Sequence, residues 1–96
     1  MLLDKLHQHK TQIDALAAQY GATRIRVFGS VARGEEVPGS DVDFLVELPR
    51  GYDLIEQRIP LANKLSTMLG RAVDLVPEHE LNQYMRQQIL AEAVDL

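Results

Sequence analysis

Cysteine is absent from the 96 residues, which excludes disulfides and thiolate metal ligands together. Any metal site must then be built from carboxylates, imidazoles or backbone oxygens, a donor set that suits a hard cation such as magnesium. The same absence fits a reducing cytoplasm, the expected location. No apolar run approaches the roughly 18 residues of a membrane span. The opening MLLDKLHQHK has an acid and amphipathic spacing where a signal peptide would carry a basic region and then a hydrophobic stretch. Positive charge is in the minority: ten Lys and Arg against fourteen Asp and Glu give a net charge of −4. That balance disfavours nonspecific binding to nucleic-acid backbones.

Repeats, linkers and low-complexity tracts are missing too. The length suits one compact domain, residues 1–96, and not two. With 46% apolar and 25% charged residues, the composition is that of an ordinary globular protein. At this size roughly 60–65% of the unfolded surface can be buried, so the core is thin.

Hydrophobic periodicity supplies the elements. Leu2, Leu3, Leu6, Ile13, Leu16, Ala17 and Tyr20 follow a helical rhythm, with Gly21 where a left-handed cap belongs. Arg24–Phe28 alternates as a strand, and a turn or short helix follows from Ser30 to Arg33. Val42, Phe44, Val46 and Leu48 alternate with Asp43, Leu45 and Glu47 in a second strand. Asp53 with Glu56 resembles a capping box ahead of a helix running to Gly70, and Pro60 inside that helix predicts a kink or a restart. Ala72–Val76 is a third strand, stopped by Pro77. Leu81, Tyr84, Met85, Ile89, Ala93 and Val94 mark a last amphipathic helix. The expected fold class is α/β (α+β), helices on a small mixed sheet in the order α-β-β-α-β-α.

The chemistry concentrates in FGSVARGEEVPGSDVDFLVEL, residues 28–48. Asp41 and Asp43 are two apart, so they share a face of the strand at about 6–7 Å along the backbone. Left alone, each raises the pKa of the other, whereas a divalent cation stabilises both ionised forms. Asp74 lies mid-way along the third strand and completes a three-acid cluster if that strand is a neighbour. Three acids suit two magnesium ions about 3.5–4 Å apart in phosphoryl or nucleotidyl transfer. Gly29-Ser30, leaving a strand for a helical turn, offers backbone N–H groups and a hydroxyl to phosphates, and Arg33 adds positive charge nearby. The residues also allow a plainer reading, a solvated acidic strand in a structural protein.

Gly29-Ser30, ten intervening residues and then Asp41-Val42-Asp43 resemble the signature of the DNA polymerase β-like nucleotidyltransferase superfamily. The fuller GSVARG…SDVDFLV, the short chain and the closing IL-AEAV (89–94) resemble its minimal nucleotidyltransferase (MNT) members. The resemblance implies that Asp41, Asp43 and Asp74 are metal-binding catalytic acids, with Asp74 also the general base. It implies that Gly29, Ser30 and Arg33 bind the nucleotide. ATP and magnesium, as two ions, are the implied substrate and cofactor. The implied partner is a HEPN-type toxin, which this chain as antitoxin would neutralise by placing AMP on a hydroxyl, in a homodimer or a mixed assembly. Masking of the toxin by binding alone, and nucleotidyl transfer to a small molecule, are the competing readings. His7, His9 and His79 show no metal spacing and read as surface residues; Tyr20, Tyr52 and Tyr84 read as packing. Glu47 shares the strand face of the acid pair.

Overall fold

The computed structural model describes residues 1–96. Helices α1 (Leu2–Gln8) and α2 (Lys10–Gln19) lead into strand β1 (Arg24–Phe28) and a single-turn helix α3 (Gly29–Arg33). Strand β2 (Val42–Glu47), a π-helical turn (Leu54–Arg58) and helix α4 (Ile59–Leu69) come next. Strand β3 (Val73–Pro77), a 3₁₀ turn (Glu78–Glu80), helix α5 (Gln83–Glu92) and the two-residue strand β4 (Val94–Asp95) complete the chain. The sheet order is β3-β2-β1-β4. β1 runs antiparallel to β2 and β4, and β2 runs parallel to β3. The parallel pair needs a crossover, which α4 provides.

Strand alternation splits the sheet into two unlike faces. Ile25, Val27, Val42, Phe44, Val46 and Leu75 project to one face and pack against Leu6, Ile13, Ala17, Leu61, Leu65 and Leu69 from α1, α2 and α4. The opposite face carries a small second cluster, Phe28, Leu45 and Ile89, the last from α5. Leu45, expected on the polar side of its strand, is buried there beneath α5.

Four expectations need correction. The N-terminal helix is broken at His9 (φ −99°, ψ 14°), with neither Gly nor Pro to mark the break. Asp53 does cap, accepting from the Ile55 and Glu56 N–H groups at 2.9 Å each. The reciprocal bond, however, goes from the Asp53 N–H to Gln57 Oε1 at 2.7 Å, not to Glu56. The π-turn widens the backbone ahead of Pro60, which has no N–H to give to Glu56, and α4 restarts at Ile59 as the proline requires. Val94 leaves the helical phase for β4, because Ala93 is extended (φ −64°, ψ 135°). Finally, Tyr84 is 86% exposed and Met85 54%, so α5 buries less of its apolar side than its periodicity suggests. Tyr20 and Tyr52 do pack against the main core.

Candidate active site

The parallel register sets Asp43 beside Asp74, and paired residues of neighbouring strands share a face about 5 Å apart. Asp41 precedes β2 by one residue and lies on the same side, more exposed than Asp43. The sheet therefore brings the three sequence-predicted acids onto one face, the face of α5. Asp43 is half-buried, and burial, then the Asp74 and Asp41 carboxylates, push its carboxyl above the ordinary 3.8. Arg33 pulls it the other way, and the Glu92 carboxylate adds to the rise.

Phe28 pairs with Asp43 across β1 and β2, so the chain enters the Gly29 turn directly beside that carboxylate. Gly29 has φ +74°, a conformation that side-chain-bearing residues avoid. A Cβ there would also overlap the Asp43 carboxylate. Two independent constraints thus demand glycine, and one of them is contact with the acid itself. Ser30 follows, half-buried, at the start of the turn. Gly34 closes it in the left-handed region (φ +71°). The loop to Asp41 is held by Ser40, whose hydroxyl accepts from the Val37 N–H at 2.9 Å. Arg71 donates to the Ser40 carbonyl at 3.1 Å.

Sequence reasoning left Glu92 without a role. Its Oε1 accepts from the Gly29 N–H at 2.9 Å and its Oε2 from Arg33 Nη1 at 3.0 Å. The only sequence signal was its place in the closing IL-AEAV string; the contact spans 63 residues. Arg33 Nε donates to Glu35 at 3.0 Å. These two carboxylates hold the guanidinium above its ordinary value. Glu47 faces the same side as Asp43 but lies four residues further along β2, opposite Arg24. His79 stands edge-on to Tyr52 at 6.0 Å between ring centres, away from the acids.

The donor set is all oxygen, and its mutual repulsion is what a bound divalent cation reverses, so the residues fit a hard cation. The backbone register aligns the carboxylates, although no three acidic or imidazole side chains stand at ligating spacing. The surface hollows of the protein are lined by other residues, and none includes Asp41, Asp43 or Asp74. No helix is long and apolar enough to cross a membrane.

A family model described as a nucleotidyltransferase domain matches residues 9–96. The protein adenylyltransferase MntA of Thermococcus cleftensis is 37% identical over 89 residues, covering 93% of this chain and 86% of its own. A solved structure provisionally described as a minimal nucleotidyltransferase superposes with a TM-score of 0.85 at 41% identity, covering 98% of this chain and 95% of that one. A toxin–antitoxin crystal structure with AMP-PNP gives a TM-score of 0.76 at 28% identity, covering 90% of this chain and 70% of that one. A tri-AMPylated HEPN toxin of Shewanella oneidensis in complex with its MNT antitoxin gives 0.69 at 25% identity, with coverage of 93% and 69%. The chain belongs to the nucleotidyltransferase domain family, with the fold of its minimal members.

Proposed function

We propose that this nucleotidyltransferase moves AMP from ATP to a hydroxyl on a HEPN-type toxin, and so acts as the antitoxin of a toxin–antitoxin pair. The observation that carries the reading is the pairing of Asp43 with Asp74 beside the Gly29 turn. The MntA likeness and the AMPylated toxin held by an MNT antitoxin point the same way.

In this reading Asp41, Asp43 and Asp74 would hold magnesium, as two ions, and the turn that Gly29 opens, with Ser30 and Arg33, would hold the phosphates. Bound magnesium would neutralise the charge on the phosphates and on the departing pyrophosphate. Asp74 draws the proton from the acceptor hydroxyl. The freed oxygen forms its bond to the α-phosphorus as the bond from that phosphorus to pyrophosphate breaks. The turn contributes fixed N–H donors and Arg33 a fixed positive charge, aligned before the reaction begins. Asp43, pressed against Gly29, ties the metal side of the site to the phosphate side.

The test is to incubate the protein with its toxin, ATP and magnesium and to weigh the toxin by mass spectrometry. AMP adducts on the toxin support the reading. A toxin neutralised without adducts, and equally by D41N/D43N protein, would establish masking by binding instead.

A further inference from the structure

Glu92 is a glutamate at the end of a helix, 19% exposed at its side chain, and it spends both oxygens on the turn next to the acids. One accepts from the backbone N–H at the first residue of that turn, the other from the side chain at its last. No other side-chain carboxylate in the protein bonds both ends of one short element. Its position is fixed from behind: Ile89, one helical turn earlier on α5, is buried against Phe28 and Leu45, and residues three apart share a helix face. The packing of α5 on the acid face therefore delivers the carboxylate to the turn.

We propose that Glu92 is a positioning residue for the triphosphate: it clamps the Gly29–Arg33 turn and holds Arg33 off the acids so that the guanidinium stays available. The proposal rests on the reading of Gly29, Ser30 and Arg33 as the phosphate-binding turn. A guanidinium has five N–H donors in a planar fork. Glu35 takes the one on Nε and Glu92 takes one on Nη1, which leaves three for oxyanions. The other end of the same turn, Gly29, lies directly against the Asp43 carboxylate. Without Glu92, Arg33 would keep only Glu35 as a partner and be free to turn toward the acids, where a pair with Asp43 would consume a metal ligand and a phosphate donor at once. The Gly29 N–H would lose its partner as well, in a backbone conformation that depends on the turn keeping its shape.

The experiment titrates magnesium-ATP and AMP into the parent protein, E92A and E92Q, with circular dichroism checking the fold of each. E92A removes both bonds; E92Q keeps a carbonyl oxygen for the Gly29 N–H and loses the negative charge that faces Arg33. Losing a charge-assisted hydrogen bond weakens binding by about tenfold or more. E92A should lose at least that for ATP and stay within about twofold for AMP, which lacks the phosphates concerned. E92Q should fall between parent and E92A. Equal losses for ATP and AMP, or no loss in the folded variants, would overturn the proposal. If E92A fails to fold, the isosteric E92Q decides alone: an unchanged ratio of ATP to AMP affinity overturns it. A parent that binds no ATP overturns the reading of the turn itself, a result distinct from parent binding that E92A shares.

Discussion

The two faces of the sheet are made by the same three main strands, yet they are governed by different physics. On one face the alternate residues of β1, β2 and β3 are Ile25, Val27, Val42, Phe44, Val46 and Leu75, covered by three helices. On the other, the intervening positions are Arg26, Phe28, Asp43, Leu45, Glu47, Asp74 and Val76, covered in part by α5. Burial of apolar area holds the first face together at about 25 cal/mol per Å². The second holds only three buried apolar residues and concentrates like charge at the end where β1 turns into α3. A fold of this size can carry that cost because the opposite face supplies its stability.

The contrast predicts which changes separate stability from activity. The largest effect belongs to the acid pair. D41N/D43N protein should fold normally and lose AMP transfer by about a thousandfold or more, a loss of several kcal/mol of charge stabilisation at the reacting phosphate. A folded double variant that still labels the toxin would break the contrast. L65A, on the core face, should do the reverse. Leu65 is fully buried, so its truncation should cost about 2–5 kcal/mol in denaturant unfolding. The fraction that remains folded should bind ATP as the parent does.

G29A sits where the faces meet and should damage both properties. The positive φ and the overlap with Asp43 should cost about 1–3 kcal/mol of stability, and ATP affinity should fall with the displaced carboxylate. A smaller and more diagnostic effect comes from pH. The raised Asp43 carboxyl means that the folded state holds this proton more tightly than the unfolded chain. The metal-free protein therefore gains stability from Asp43 protonation at low pH and loses it as pH rises from the ordinary 3.8 through the raised value. D43N should lack that loss and melt above the parent near neutral pH in chelator, with magnesium and ATP restoring the parent and leaving the variant unmoved. Smallest of all, R24A breaks the exposed pair with Asp95 (2.9 Å) and should leave the unfolding midpoint within measurement scatter of the parent, because water screens an exposed pair.

The strand alternation and the Gly-Ser to Asp-x-Asp spacing were legible because both are local: each is a matter of period two and a fixed offset. The neighbour relation of Asp74 was an expectation that only the β2–β3 register could meet, and it did. What escaped was tertiary or unmarked. The break at His9 has no Gly or Pro to announce it. A two-residue strand such as β4 is too short for alternation to register, and Val94 continued the phase of the helix before it. Tyr84 and Met85 had helical spacing, but α5 meets the sheet chiefly through Ile89, so spacing alone overstated its buried side. Gln57 displaced Glu56 as the partner of Asp53 because the widened π-turn shifts the side chains by about one position. Glu92 reaches the turn from the far end of the chain, and no local pattern encodes that contact.

The central claim is that the Asp41, Asp43 and Asp74 side chains grip a divalent cation together with the nucleotide held at the Gly29 turn. It is tested most directly by counting free manganese, a magnesium substitute, by electron paramagnetic resonance as protein is added with ATP present. The parent should remove manganese in an ATP-dependent manner, while D43N and D74N, folded by circular dichroism, should each remove far less. Equal uptake by the parent and both variants would contradict the account.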